Sequence, residues 1–314
     1  MHCLLPSLFL PVLLVFLTNV AGCESEILPD LTITQVSPSV YSAIGETLPP
    51  SYENWGHNNN LSLIVTDAGV VVINGGESYA LAKALHRQIA QITDAPVQWV
   101  VNENGQGHAF LGNSYWQELG VPIVAHEDAI AEIGEHGPAV LAAMQARNRE
   151  RGAGTFVAVP SESFTSQRTI MLGELRVELI SFGQAHSPGD ISVWIPSEQV
   201  LIAGDIAFHE RLLGIFPDTN VLAWLRSFEA MAQLEPKIVV PGHGHPTDLA
   251  EIRRYTHDYL QYLVDEVNAI LESDGDLSDA YAIDQSEYAH LDTFDELAAK
   301  NAGRVYQTLE MEFF

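Results

Sequence analysis

Four short stretches of this 314-residue chain place polar side chains beside glycines, next to apolar runs that predict strands. They are NENGQGHAFLGN at 102–113, QAHSPGD at 184–190, LIAGDIAFH at 201–209 and IVVPGHGHPT at 238–247. Loops at strand ends commonly present functional side chains. Neutral imidazole and carboxylate are ligands that zinc, iron and manganese accept. The four stretches together therefore predict a metal site assembled from separate loops.

Three of these loops offer the strongest candidate ligands, His186, Asp205 and His243. His186 is set in a Pro/Gly turn, Asp205 ends an apolar run behind a glycine, and His243 lies between two glycines. A single histidine is more often structural or solvated than a metal ligand. Three separate loops with the same character favour metal binding.

Alternating strand and helix patterns are expected to position these loops. LSLIVTDAGVVVINGG at 61–76 has two β-branched runs around TDAG, which is typical of a hairpin. Leucine or isoleucine recurs every four residues within 77–93 and predicts a helix there. Further strands are predicted at VQWVVN, VPIVAH, RTIMLG, LRVELISFG, DISVWIP, EQVLIAGD and KIVVPG, and further helices near 114–120, 127–133, 134–154, 221–234, 248–271 and 295–314. Both halves begin rich in strands and end helical, so we expect an α/β sandwich of two sheets flanked by helices.

In this order the motifs resemble those of the metallo-β-lactamase superfamily, over residues 55–250. NENGQGHAFLGN stands where that family has a His-x-His-x-Asp-His loop. AHSPGD resembles its second His motif, IAGD its bridging Asp, and PGHG its last His. LIVTDAGVVVINGG resembles its first hairpin, with Asn74 where the family usually has Asp, and NAGRVYQTLEME at 301–312 resembles the branch of quinoprotein and sulfur-oxidation operons. The resemblance implies an αββα sandwich with one or two metal ions, usually zinc, that activate a water for hydrolysis.

The first motif departs from the family pattern. Aligned without gaps, its two leading His positions hold Asn104 and Gln106, its Asp position holds His108, and its last His position holds Ala109. A shifted alignment would put His108 at the last His position, but it needs an insertion. Amide side chains are poor zinc ligands compared with imidazole. A two-zinc centre is therefore not expected.

The resemblance instead implies one metal ion, zinc before iron or manganese, with a site that binds no metal as the alternative. The implied ligands are His108, His186, Asp205 and His243, with His108 also the candidate catalytic residue. His209 and His245 lie close to these in sequence and are possible accessory ligands or bases.

Two functions follow from this site. The first is a variant hydrolase that cleaves an ester, thioester or amide with a single metal ion. The second is a catalytically inactive relative that serves as a binding or assembly module in the cell envelope. A true β-lactamase is a third and weaker possibility, because the motif on which such hydrolysis relies is degraded at 104–109.

Composition excludes several classes of function. The chain has 41 acidic and 14 basic residues, a formal net charge of −27, which disfavours nucleic-acid binding. Its 47% hydrophobic content is sufficient for a sizeable core. Cys3 and Cys23 are the only cysteines, so a processed chain would have neither an internal disulfide nor a catalytic thiol. We expect a small-molecule substrate and predict no protein partner.

The N-terminus predicts export. An apolar run at 4–17 is too short for a confident membrane span, and VAGC at 20–23 resembles the lipobox of bacterial lipoproteins. In that family the Cys, here Cys23, becomes the lipidated first residue. Residues 1–22 contain no Lys or Arg, which leaves a plain secretory signal as the alternative. We predict a periplasmic or outer-membrane-anchored lipoprotein of a bacterium, which contacts the membrane if Cys23 is acylated.

The predicted segments are a signal peptide at 1–22, N-terminal strands at 23–54, the metallo-β-lactamase-like domain at 55–250, and a C-terminal helical extension packed on that domain at 251–314.

Overall fold

A computed structural model describes residues 27–313 of the chain. The predicted signal peptide and Cys23 lie outside these residues. Twelve strands within the described part form two sheets. The first sheet contains β1 Ile33–Gln35, β2 Val40–Ala43, β3 Leu61–Thr66, β4 Gly69–Ile73, β5 Val97–Val101, β6 Ile123–His126 and β7 Glu162–Phe164, and the second contains β8 Gln167–Leu172, β9 Leu175–Ile180, β10 Ser192–Ile195, β11 Val200–Phe208 and β12 Ile238–His243.

The two sheets follow the same plan. In the first, strands β1 to β4 pair antiparallel in chain order, and β4 to β7 then pair in parallel. In the second, β8 to β11 pair antiparallel in chain order, and β12 joins β11 in parallel. The parallel strands β5 and β12 therefore follow helical crossovers in both halves.

Nine helices lie within the described residues and flank the two sheets. They are α1 Tyr79–Ile92, α2 Gly107–Phe110, α3 Asn113–Glu118, α4 Glu127–Asn148, α5 Val221–Ala232, α6 Leu249–Ile252, α7 Asp258–Glu272, α8 Leu277–Tyr281 and α9 Phe294–Phe313. One π-helical turn, Arg253–His257, joins α6 to α7. No helix within residues 27–313 is both long and apolar enough to cross a bilayer.

The hydrophobic core has a layered arrangement. Side chains from the inner faces of both sheets form one cluster, which includes Ile64, Val71, Val177 and Val193. A second cluster joins the outer face of the first sheet to α1 and α3. A third joins the second sheet to α5, α7 and α9. This arrangement confirms the predicted αββα sandwich.

Helix α4 differs from the sequence prediction for residues 127–154. Two helices were expected at 127–133 and 134–154, but the structure has one helix, Glu127–Asn148, with Pro138 inside it. A proline inside a helix removes one backbone hydrogen bond. The buried face of α4 nevertheless continues across the proline, through Ile133, Gly137 and Met144. Packing of this face holds the helix together past the proline.

Candidate functional site

The site lies at one edge of the sandwich, where strands from both sheets end. Strand β5 leads directly into Glu103, β11 carries Asp205, and β12 ends at His243. A cavity of about 360 Å³, here called the cleft, opens at this edge. Its lining includes Gln106, His108, His186, Arg211, Phe216 and His243.

Three residues bring metal-ligating atoms close together, Glu103, His108 and Asp205. His108 Nε2 lies 3.2 Å from Asp205 Oδ2 and 3.5 Å from Glu103 Oε1. His243 Nε2 lies 3.5 Å from Asp205 Oδ1. Ligand atoms around a four-coordinate zinc with bonds of about 2.0–2.2 Å lie roughly 3.3–3.6 Å apart. The spacing of the Glu103, His108 and Asp205 atoms therefore fits one metal ion, and His243 lies on the side of the other Asp205 oxygen.

The orientation of His108 also fits a metal ligand. Its Nε2 is buried and makes no hydrogen bond with any described residue, although two carboxylate oxygens lie within 3.5 Å. The charges of both carboxylates favour a proton on this ring. A bound ion would replace that proton at the same position.

Asp205 and Glu103 have room because glycines lie beside them. A Cβ at Gly242 would lie 2.1 Å from Asp205 Oδ1. A Cβ at Gly204 would lie 2.2 Å from Glu103 Oε2, and Gly204 also has a φ of +63°. The IAGD and PGHG motifs therefore need glycine because a carboxylate occupies the space of a side chain.

His243 is held in one tautomer. Its Nδ1 donates a hydrogen bond to the backbone carbonyl of Asn58, which can only accept. The lone pair of His243 Nε2 is thus left to face Asp205. A ring N–H donated to a carbonyl is the usual support of a ligating histidine. Burial lowers the pKa of His243 to about 3, which keeps the ring neutral and able to ligate.

Side-chain amides surround the carboxylates. Asn59 Nδ2 donates to Glu103 Oε1 at 2.9 Å and to Asp205 Oδ1 at 3.2 Å. Asn74 Nδ2 in turn donates to Asn59 Oδ1 at 2.9 Å, which sets the orientation of the Asn59 amide. Asn74 has a φ of +70° and its Oδ1 accepts from the Glu103 backbone N–H. These amides stabilise the buried carboxylates and fix their orientation.

The three residues that stand at histidine positions of the first motif lie in different environments. Asn104 is buried, and its Nδ2 donates to Asp205 Oδ2 at 3.1 Å and to Asp190 Oδ1 at 3.2 Å. Gln106 lines the cleft, and its backbone N–H donates to Asn104 Oδ1 at 3.0 Å. Ala109 is fully buried and contributes its carbonyl to Gly75 N–H at 2.7 Å. The position of the first histidine is thus occupied by a hydrogen-bond donor to carboxylates.

His186 lies in the cleft but outside the closest group of ligand atoms. Its ring packs against Phe208, Phe216 and Trp224, with centroid distances of 5.4, 5.1 and 5.3 Å. Its buried Nδ1 has no hydrogen-bond partner among the described residues. Ligation by His186 stays a prediction.

His209 and His245 are absent from the lining of the cleft. His209 Nε2 contacts the backbone carbonyl of His245 and lines another cavity. His245 is exposed, and its Nδ1 lies 2.8 Å from Glu210 Oε2. Neither ring is grouped with the candidate ligands, and their accessory role stays a prediction.

The charges of the site depend on one another. Burial lowers the pKa of His108, but the carboxylates of Asp205 and Glu103 outweigh burial and raise that pKa to about 10. Burial raises the pKa of Glu103, and the Asp205 charge raises it further. Burial also acts to raise the pKa of Asp205, yet the His108 charge holds it far below its usual range. Without metal, His108 therefore carries a proton, which metal binding must release.

Two residues of the site were missed by the sequence analysis. Glu103 stands next to the altered motif, and an acidic residue directly after the predicted strand VQWVVN was the signal that could have revealed it. Arg211 lines the cleft with NH1 3.4 Å from His243 Nδ1. Its buried Nε has no hydrogen-bond partner, and no ion pair joins it to a carboxylate within residues 27–311. An Arg without such a partner in a cleft is available to bind an anionic group.

Comparison with known proteins agrees with this geometry. The family model of the metallo-beta-lactamase superfamily matches residues 55–243. The metallo-beta-lactamase type 2 of Bacteroides fragilis is 25% identical over 251 residues, covering 76% of this chain and 89% of that protein. The linear primary-alkylsulfatase of a Pseudomonas species is 21% identical over 245 residues, which are 65% of this chain but only 46% of the alkylsulfatase. The chain thus spans about half the length of that relative.

A solved structure shows the same fold. The metallo-beta-lactamase from Pontibacter korlensis superposes with a TM-score of 0.60 at 21% identity, over 74% of this chain and 99% of that one. The chain belongs to the metallo-β-lactamase superfamily, a family of hydrolase-like proteins that typically bind metal ions. This confirms the resemblance of the four motifs. Membership of the quinoprotein and sulfur-oxidation branch stays a prediction.

Proposed function

We propose that this protein is a hydrolase that uses one metal ion to cleave an ester, thioester or amide bond in a small molecule. The ligands would be His108, Asp205 and His243, with Glu103 as a fourth donor. The observation that carries the proposal is the close spacing of ligand atoms from Glu103, His108 and Asp205, with the buried His108 Nε2 within 3.5 Å of both carboxylates. Two imidazoles and two carboxylates suit zinc, iron or manganese.

A metal ion bound here would lower the pKa of a coordinated water and polarise the bond to be cleaved. The protein's own residues supply the rest. Asn59 keeps the carboxylates of Glu103 and Asp205 facing each other, and the Asn58 carbonyl keeps His243 in the ligating tautomer. Pre-set ligand geometry of this kind raises metal affinity and activity.

Arg211 would hold the negative charge of the substrate. The guanidinium lies next to His243 and lines the same cleft. No carboxylate within residues 27–311 forms an ion pair with Arg211, although the charges of Asp205, Glu296 and Asp292 act on it from a greater distance. Its N–H groups can therefore donate to an oxygen on which negative charge develops. Phe216, which packs against His186, adds an apolar wall to the cleft.

A second candidate is a binding module without catalysis. Asn104 favours it, because its amide donates to both Asp205 and Asp190, where the family has a metal-binding histidine. In that case the carboxylates are stabilised by amides and by protonated His108, and no ion is needed. The β-lactamase activity that the name of the Bacteroides fragilis relative describes has less support here, because Asn104 and Gln106 replace two imidazoles.

Metal content decides between the two candidates. The purified protein is incubated separately with zinc, iron(II) and manganese(II), freed of excess metal, and measured by elemental analysis. We expect about one equivalent of one metal in the wild type and none in Asp205→Asn or His243→Ala. His136→Ala is the control, because that exposed imidazole on α4 lies outside the lining of the cleft and should leave the metal content unchanged.

Three outcomes are informative. One equivalent, together with metal-dependent cleavage of a chromogenic ester, thioester or anilide, supports the hydrolase. No metal in the wild type contradicts it and supports the binding module. Two equivalents would mean that Asn104 and Gln106 do not prevent a second ion, and the single-ion site would be wrong.

Export of the protein as a lipoprotein is part of the proposal. It is supported by the apolar run at 4–17 and by VAGC at 20–23. Expression of the whole chain in a bacterium should give a protein that begins at Cys23, with the mass of an acylated N-terminus. Cys23→Ser should abolish the acyl mass. A non-acylated chain that begins elsewhere would show a plain secretory signal instead.

A further inference from the structure

A second cavity adjoins the cleft and is built by the C-terminal helices. It has a volume of about 320 Å³ and lies between α8, α9 and the loop that follows β11. We call it the C-terminal groove, with walls that include Phe216, Tyr281, Leu297, Lys300 and Arg304. Helices α8 and α9 lie outside residues 55–243, the part that matches the family.

The groove has an apolar floor. Phe216 and Tyr281 are 46% and 50% exposed, although both are large aromatic side chains. A Cβ at Gly303 would lie 2.4 Å from Cε1 of Tyr281, so the tyrosine ring rests directly against the backbone of α9. Single exposed aromatics are common on protein surfaces, but two that line one cavity indicate a binding surface.

The groove also carries positive charge in a strongly acidic protein. Lys300 and Arg304 are two of only 14 basic residues in a chain with a net charge of −27. Glu296 is the one acidic residue in the lining, and its ion pair with Lys300 is long at 3.8 Å and exposed. Arg304 donates to the neutral side chain of Gln307, and no ion pair joins it to a carboxylate within residues 27–311. Exposed pairs of this kind contribute little, so both cations can bind a ligand.

The groove and the cleft adjoin each other and share part of their lining. Gly214, Phe216, Glu296 and Leu297 line both cavities. A molecule whose reactive bond lies near His243 could therefore extend past Phe216 and Leu297 into the groove. Phe216 stands at the junction, where it contacts His186 on one side and lines the groove on the other.

We propose that the C-terminal groove binds the distal part of the substrate, and that this part is an apolar chain or ring ending in a carboxylate or sulfonate. The apolar part would lie on Phe216 and Tyr281, and the anionic end would pair with Lys300 and Arg304. The assignment rests on the proposed function, because it gives the groove to the substrate of the same cleft. It predicts that an amphiphilic organic anion binds even when no metal is present.

The test uses two probes that differ only in charge, 4-phenylbutyrate and the neutral 4-phenylbutan-1-ol. Binding to the purified, EDTA-treated protein is measured by isothermal titration calorimetry. We expect the Lys300→Gln/Arg304→Gln double variant to bind 4-phenylbutyrate about tenfold more weakly, because two partly screened ion pairs are lost. The affinity for 4-phenylbutan-1-ol should not change. Tyr281→Ala should weaken both probes, because it removes an apolar wall.

Two controls separate the groove from other sites. Arg226→Gln/Lys237→Gln removes the same charge from exposed positions outside both cavities and should leave binding unchanged. His243→Ala should bind 4-phenylbutyrate as the wild type does, because the groove lies apart from the ligand atoms. The proposal is overturned if neither probe binds, if the Lys300/Arg304 variant binds both as the wild type does, or if His243→Ala abolishes binding. Metal content is measured separately, so a protein that binds no metal but keeps charge-selective binding would refute the hydrolase and leave the groove intact.

Discussion

At the scale of single residues, the main feature of the site is a group of buried carboxylates. Glu103, Asp190 and Asp205 are all nearly inaccessible to solvent and lie close together. Isolated buried carboxylates are costly unless they are paired or hydrogen-bonded. Here Asn59 and Asn104 each donate to two of them, and His108 supplies a positive charge in the absence of metal. Replacement of an imidazole by Asn104 thus exchanges a metal ligand for a hydrogen-bond donor.

Another buried carboxylate oxygen, that of Glu132, has no such hydrogen-bond donor. Glu132 lies on α4, and its Oε2 is buried without a hydrogen bond to any described residue. Burial raises the pKa of Glu132 to about 7, and the charge of Asp218 adds to this effect. The folded protein therefore holds a proton on Glu132 that the unfolded chain releases near its ordinary pKa of 4.5.

The raised pKa of Glu132 makes the folded state less stable as pH rises. Below pH 4.5 Glu132 is protonated in both the folded and the unfolded state, and between about pH 4.5 and 7 only the folded state keeps this proton. After a discount for solvent screening, we expect Glu132 to lower the free energy of unfolding of the wild type by about 1–2 kcal/mol between pH 4.5 and pH 8. Glu132→Gln should not show this part of the fall. Urea unfolding with EDTA at pH 4.5 and pH 8 measures the effect, with the exposed Glu135→Gln as control. An unchanged pH dependence in Glu132→Gln would contradict the assignment.

At the scale of elements, strands place the ligands and glycines make room for them. The parallel pair β11 and β12 is irregular between Gly204 and Phe208, where Asp205 lies. This irregularity lies beside the candidate ligands, as is common for strand irregularities near active sites. Gly242 on β12 leaves the space that the Asp205 carboxylate occupies. The glycines of the two motifs therefore serve the site through the packing of adjacent strands.

Gly242→Ala tests this packing. The added Cβ would lie 2.1 Å from Asp205 Oδ1, so the carboxylate must move. We expect metal affinity to fall by about 10- to 100-fold, as when support for a ligand is lost. Affinity is measured by competition with a chromogenic chelator, and circular dichroism checks that the variant is folded. Gly134→Ala on α4 is the control, because its Cβ would meet nothing within 4 Å. Equal affinity in wild type and Gly242→Ala would show that Asp205 is not a ligand.

At the scale of the whole molecule, basic side chains line two adjoining cavities of a strongly acidic protein. The chain has a net charge of −27, yet Arg211, Lys300 and Arg304 line the cleft and the groove. A positive patch within a negative field can select anions at short range, although the whole protein repels them at long range. Binding of an anionic substrate should therefore become faster as salt screens the surface.

The same net charge should affect stability. Repulsion among the 41 acidic residues destabilises the compact state, and salt screens it. We expect a rise from 50 to 500 mM NaCl at pH 8 to stabilise the fold by roughly 1 kcal/mol, or about 2–4 °C in Tm. Calorimetry at pH 5, closer to the isoelectric point of about 4.5, should show a smaller gain. A Tm that is insensitive to salt at pH 8 would mean that the charges are already locally compensated.

Local patterns in the sequence were sufficient to predict most of the secondary structure, the fold and the family. The strands, the hairpin of β3 and β4 and most helices follow from periodicity, which depends on neighbouring residues. The motif order predicted the αββα sandwich, and both fold and family were confirmed. His186, Asp205 and His243 were predicted as ligands from their strand-end loops, and His108 from the alignment of the first motif with the family pattern. The prediction of two helices at 127–133 and 134–154 was wrong, because the buried face that makes α4 one helix depends on tertiary packing.

Which side chains contact one another at the site depends on the tertiary structure alone. Asn58 supports His243 from 185 residues away in sequence, and Asn59 reaches Asp205 from 146 residues away. No local pattern encodes such pairs, because they exist only when two sheets pack and their strand ends share one edge. The same packing brought Glu103 to the candidate ligands and placed His186 among aromatic rings. It also set the C-terminal groove against the cleft, since α9 must first fold back onto the second sheet.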